Sequence, residues 1–230
     1  MSVLQFAEKQ LRKTKIMEEK LWILEQCFVP GSTNNKTIDL HPRRYFGFSI
    51  PSMITLETLQ ECIDNETEVL EIGAGLGLYA SIFNNPVFCK RWIATDHPDT
   101  FEEWLPEGNR QPFTTVYHTR TPLLQCFNPG TPPAKRVLLT VWPEPESTYF
   151  WDDYVKNFDG DTVVIIGSPG VTGKDEMWDW LSAAYKGKHT TTPVCRIRLG
   201  AFYDHENIYI WRRKRKQTRR HTLMYIPPAQ

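Results

Sequence analysis

Residues 69–78, VLEIGAGLGL, set three glycines at alternate positions directly behind a short apolar run and ahead of a helical one. Glycine loses more backbone freedom on folding than any other residue. Gly73, Gly75 and Gly77 are therefore expected where the chain turns tightly or where something approaches the main chain closely. Strand, glycine turn and helix together form a general device for holding a nucleotide-type cofactor, because the helix N-terminus and the bare backbone both face the ligand. A dinucleotide fingerprint reads G-x-G-x-x-G, and here its last position is Leu78, the third glycine having come one residue early. Asp96, in WIATDHPD, ends the next apolar run about 20 residues beyond the turn, where a carboxylate can accept hydrogen bonds from both ribose hydroxyls. That expectation is common to dinucleotides and to other adenosine-bearing cofactors.

From residue 67 onward the chain alternates short β-branched or aromatic runs with helical or loop segments. The runs predict strands near 67–72, 91–95, 113–118, 137–142 and 162–167, a rhythm that implies a mostly parallel sheet with helices on its faces. Two further strands, 193–204 (PVCRIRLGAFYD) and 207–214 (NIYIWRRK), lie too close for a crossover helix and are expected to pair antiparallel. Ahead of the sheet, Leu4, Ala7, Leu11, Met17, Leu21, Leu24 and Phe28 recur at helical spacing, which predicts one or two amphipathic helices stopped by Pro30-Gly31. A further helix is expected from about Pro51, with Ser49 or Ser52 as its cap. The organisation is thus an N-terminal helical extension over 1–40, an α/β domain over 41–213 and a basic tail over 214–230.

Glu71 two residues before the first glycine, a G-x-G-x-G turn and a closing antiparallel pair together resemble the class I S-adenosylmethionine-dependent methyltransferases over roughly residues 45–212. The resemblance implies a Rossmann-like, seven-stranded, mostly parallel sheet with helices on both faces and a terminal antiparallel hairpin, preceded by the N-terminal helical segment. It implies S-adenosylmethionine as cofactor, held by Glu71, Gly73, Ala74, Gly75, Gly77 and Asp96, with His97 beside them. YFGFSIPSMITLETL ahead of the glycines and VLLTVWPEPE after them are similar to a group of methyltransferase-like proteins with a W-P-P-type turn after the fourth strand. Trp142 and Glu144 are then the candidates for catalysis: an indole can stack a planar acceptor or face a developing cation, and a carboxylate can take a proton. Pro143 and Pro145 would line the acceptor site. The turn begins with neither Asn nor Asp, which departs from the pattern of methyltransferases acting on amino nitrogens. Upstream, Arg43, Arg44, Tyr45 and Phe48 interleave cations with rings, a composition suited to a lid or to stacking bases while meeting phosphates.

The formal net charge is zero, with 27 Lys and Arg against 27 Asp and Glu. Seven of the cations fall in 212–220 (RRKRKQTRR), so 27 less 7 leaves 20 facing 27 acids elsewhere: an acidic body with a basic end. Such an end predicts a nucleic-acid partner through residues 212–220, RNA being favoured, with an affinity that falls steeply with salt. Five scattered cysteines without a C-x-x-C pair suggest reduced thiols and an intracellular, cytoplasmic or nuclear setting. The six histidines lack metal-ligand spacing, so no metal is expected, and no apolar run is long enough to span a membrane. GSPGVTGKDEMW lacks the first glycine and the closing hydroxyl of a phosphate loop and is expected instead to line the cleft at the carboxyl edge of the sheet. Two other readings compete: a non-catalytic methyltransferase-like module that binds RNA or protein, and a nicotinamide-dependent oxidoreductase, against which Leu78 and the closing hairpin both argue.

Overall fold

The computed structural model describes residues 3–27, 49–98, 111–119, 124–143, 154–168, 171–193 and 207–213. Near-continuous apolar runs become strands buried on both faces, as parallel strands covered by helices must be. These are β1 (Glu68–Ile72), β2 (Arg91–Asp96), β4 (Arg136–Val141) and β5 (Thr162–Gly167), with the short edge strand β3 (Val116–His118) buried only at Val116. They are joined by β6 (Tyr185–Pro193) and β7 (Asn207–Arg213) in one sheet of order β3-β2-β1-β4-β5-β7-β6. The first five are mutually parallel, while β7 runs antiparallel to both β5 and β6. The fold is therefore α/β and Rossmann-like, ending in an antiparallel pair.

The pair sits differently from the sequence expectation. The partner of β7 is β6, whose ladder joins Tyr185 to Arg213 and Pro193 to Asn207 across a register shift between Lys188 and Thr192. Residues 194–206, which include nearly all of the expected strand, lie outside the described residues. The polar run TTT at 190–192 carries the β-branching that favours a pleated surface without the apolar alternation by which strands are recognised.

Two helices form at the N-terminus, α1 (Val3–Lys13) and α2 (Met17–Cys27). The third, α3 (Met53–Leu59), is capped by Ser52, whose hydroxyl accepts from Thr55 N–H while Thr55 Oγ1 accepts from Ser52 N–H, a reciprocal capping box. After the glycine turn comes α4 (Leu78–Phe83), and α5 (Asp175–Ala184) connects β5 to β6. Strand periodicity splits the core in two. Val69, Val137, Leu139, Val164, Ile166, Ile208 and Ile210 face a cluster that takes in Ala7, Leu11, Leu21 and Leu24 of α1 and α2, together with α3 and α4. Leu70, Ile72, Leu138, Val163, Ile165 and Trp211 face the other, with Met177 and Leu181 of α5 and Phe158. The N-terminal helices thus share the core that backs the glycine turn.

Among the described residues no helix is long and apolar enough to cross a membrane, and no group of His, Cys, Asp and Glu is placed to hold a metal ion. Cys62, Cys89 and Cys126 are free thiols, each pushed up by burial, to about 12, 11 and 11 respectively.

Candidate functional site

The strand order reverses between β1 and β4, and in open α/β sheets the crevice beyond the carboxyl ends at such a point is where ligands bind. The glycine turn leaves β1 on one side of that crevice, and the Trp142 turn leaves β4 on the other. All three glycines have positive φ: 67° at Gly73, 54° at Gly75 and 71° at Gly77. L side chains rarely adopt this region, which explains why the sequence repeats glycine at every second position. The environments of Gly75 and Gly77 differ in kind. A Cβ built on Gly77 would come within 2.9 Å of Val116 Cγ2 and 3.0 Å of Thr114 Cγ2, so this glycine is required by packing against the approach to β3. A Cβ on Gly75 would meet nothing within 4 Å among the described residues, so none of them covers the main chain there.

Three hydrogen bonds fasten the turn to β2. Thr95 Oγ1 donates to Glu71 O at 2.8 Å, Ala74 N–H donates to Thr95 O at 3.0 Å, and Gly75 N–H donates to Asp96 Oδ2 at 2.6 Å. The other carboxylate oxygen, Asp96 Oδ1, accepts from His97 N–H at 2.7 Å. Asp96 therefore stands where the spacing predicts, at the end of β2 and against the glycines. His97 is buried beside it. Sequence reasoning missed Thr95; a hydroxyl one position before the acid, in register with Ile72 at the exit of β1, is the signal that identifies it.

Glu71 occupies another environment. Period-two alternation puts it with Val69 on the helix-covered face, where it is 1% exposed and its Oε2 accepts from Trp92 Nε1 at 2.7 Å. Burial pushes this carboxyl up to about 8; the Trp92 hydrogen bond opposes the rise and the nearby Asp96 charge adds to it. Glu71 thus braces the turn from beneath, with Trp92 as the partner that an acid buried on this face requires.

After β4, Trp142 has φ 52°, the positive-φ residue among the described non-glycines. Its N–H still donates to Ile166 O at 2.7 Å, and Pro143 O accepts from Gly173 N–H at 2.6 Å. The loop after β5 is thereby docked on the Trp142 turn, at the carboxyl edge expected for GSPGVTGK. A β-carbon in this region costs about 1–2 kcal/mol, and such strain, held by hydrogen bonds on both sides, is concentrated at functional sites. Glu144, Pro145, Arg43, Arg44, Tyr45 and Phe48 lie outside the described residues, as do 214–230.

No family model matches the chain, and no curated protein does. Among solved structures, it is similar to a chain of a fibrillarin/Nop5p complex at 11% identity and a TM-score of 0.39, over 71% of this chain and 81% of that one. It is also similar to a dimethyladenosine transferase from Plasmodium falciparum at 14% identity and a TM-score of 0.37, over 72% of this chain and 62% of that one.

Proposed function

We propose that the protein is an S-adenosylmethionine-dependent methyltransferase acting on a nucleic acid. The observation that carries this reading is the main chain at Gly75, covered by none of the described residues and hydrogen-bonded to the acid that ends β2. Gly73, Ala74 and Gly75 would hold the amino-acid end of the cofactor against bare backbone. Asp96 would hold the ribose: each carboxylate oxygen has two lone pairs, so it can accept from hydroxyls while it keeps Gly75. Gly77 and Glu71 act through the turn, the first by letting β3 pack close and the second from below. When bound, the cofactor supplies an electrophilic methyl group. The protein's share is to orient a nucleophile in line with it and to provide for that nucleophile's proton. The strained Trp142 would stack a planar base across the crevice, and Glu144 would take the proton. The single reversed strand, β7, supports the resemblance that suggested this cofactor.

The nucleic-acid acceptor rests on the seven cations of 212–220. One observation favours the second reading, a non-catalytic module binding RNA: Asp96 has a structural use of its own, since one lone pair on each carboxylate oxygen already accepts from the protein's own Gly75 and His97 amides. Calorimetry with S-adenosylhomocysteine separates the two. The methyltransferase reading expects wild type to bind and Asp96→Ala to bind at least tenfold more weakly, with tritiated methyl transfer to an RNA pool. RNA binding without any affinity for the nucleoside would establish the module instead.

A further inference from the structure

Besides their share in the core, the N-terminal helices reach the chain that backs the glycine turn through Arg12. Arg12, on the last turn of α1, donates from Nη1 to Pro112 O at 3.0 Å and from Nη2 to Gln111 O at 2.6 Å. Glu8, one turn earlier, holds the guanidinium from behind, its Oε1 accepting from Nη2 at 2.8 Å and from Nε at 3.3 Å. The same cation lies 4.7 Å from the centre of the Phe113 ring. Residues 111–115 precede β3 and make no ladder bonds of the sheet. Held by Arg12, they touch the glycine turn twice, the second time together with Val116 of β3. Phe113 N–H donates to Leu76 O at 2.8 Å, and the methyls of Thr114 and Val116 fill the space where Gly77 has no side chain.

We infer that Arg12 is a positioning residue for the glycine turn, so that α1 and α2 form part of the ligand site. Its fork on two successive carbonyls fixes the peptide planes ahead of Phe113. That orientation presents the Phe113 N–H to Leu76 and sets how closely the chain before β3 backs Gly77. Leu76 and Gly77 in turn hold Gly75 against Asp96. The guanidinium geometry matters more than its charge, since an ammonium group cannot span both carbonyls in one plane. The inference rests on the reading of this turn as a cofactor site, and its test has a readout that does not.

The experiment compares full-length wild type, Arg12→Ala and Arg12→Lys by amide hydrogen exchange and by calorimetry with S-adenosylhomocysteine. In Arg12→Ala the amides of Phe113, Gly75 and Gly77 are expected to exchange about tenfold faster, while those of Leu139 and Val164 in the sheet centre keep their wild-type rates. The dissociation constant is expected to rise roughly tenfold, with Arg12→Lys recovering less than half of the loss. Unchanged exchange at the turn, uniform acceleration across sheet and turn alike, or full rescue by lysine would overturn the inference. If wild type binds no nucleoside while the turn amides respond to Arg12→Ala, the cofactor reading fails and the coupling stands. If wild type and Arg12→Ala bind equally, with the turn unmoved, the coupling fails and the cofactor reading stands.

Discussion

Replacing Glu71 by glutamine should change how stability depends on pH more than it changes stability itself. Glu71 ionises at about 8 in the folded protein against an ordinary 4.5. Between those values the unfolded chain has lost a proton that the folded chain retains, so stability falls as pH rises, by about 1.4 kcal/mol per unit. Over the whole window this amounts to about 5 kcal/mol, a large share of the 5–15 kcal/mol typical of a domain. Glutamine matches the protonated acid, with one oxygen to accept from Trp92 Nε1 and one donor group, and it does not titrate. The two proteins should therefore be nearly equal at pH 5, and Glu71→Gln should be the more stable by several kcal/mol at pH 9. Urea unfolding followed by tryptophan fluorescence at unit steps of pH measures the difference. Glu68 does not enter this window. Burial raises it, but Asn128 N–H and the Arg91 charge outweigh burial and leave it lowered, so its contribution is complete above ordinary carboxylate values. Parallel stability curves for the two proteins from pH 5 to 9 would refute the argument, because they would mean that Glu71 keeps its charge where it stands.

The second and third glycine positions should separate packing from ligand contact. Gly77→Ala meets Val116 and Thr114 at positive φ and should cost about 2–4 kcal/mol in denaturant unfolding. Gly75→Ala meets none of the described residues, should cost only about 1–2 kcal/mol, and should lose more nucleoside affinity than that figure converts to, because its methyl enters the crevice. Trp142→Asn places a residue tolerant of positive φ in the turn after β4. Its stability should stay within about 1 kcal/mol of wild type while methyl transfer falls at least tenfold, as loss of a base-stacking ring implies. Deleting 214–230 should leave nucleoside binding unchanged and flatten the salt dependence of RNA binding, measured by fluorescence anisotropy at two salt concentrations.

Strands were legible wherever apolar runs sat between turn residues: β1, β2, β4 and β5 fall within a residue or two of their expected bounds. The cap was legible only as a choice between Ser49 and Ser52, each with a hydroxyl three residues on; the structure uses Ser52. Asp96 was legible from spacing alone, since a strand, its return helix and the next strand fix the distance between two carboxyl ends. Glu71 shows the limit. Motif position put it among the ligand contacts, yet the parity of β1 groups it with Val69 and turns it toward Trp92, a partner 21 residues away. Arg12 carried no local signal at all, because its use depends on carbonyls 99 and 100 residues downstream. The described partner of β7, Tyr185–Pro193, was not legible for the same reason: its polar run lacks apolar alternation, and its pairing was decided by the sheet.

The reversal of β7 also fixes where a nucleic acid held by the tail must begin. Arg212 pairs with Thr162 at the start of β5, and Arg213 N–H donates to Asp161 O, so the described chain leaves the sheet at the edge opposite the glycine turn. Several folded cations at that edge are matched by acids: Lys90 and Arg91 by Glu68, Lys135 by Asp64, Arg136 by Asp159; Arg212 and Arg213 donate to main-chain carbonyls and keep their charge unneutralised. Ion pairs of this kind leave little field for phosphates, so on the proposed reading the attraction comes from the seven cations of 212–220. A six-residue strand separates the two edges by about 20 Å, whereas the 17 residues of 214–230 could reach about 56 Å if extended. The tail can therefore deliver an acceptor to the crevice without being part of it. If the protein is the proposed nucleic-acid methyltransferase, the tail would serve the encounter and leave the chemistry to the turns, so removing it should raise KM for a long RNA and leave kcat nearly unchanged.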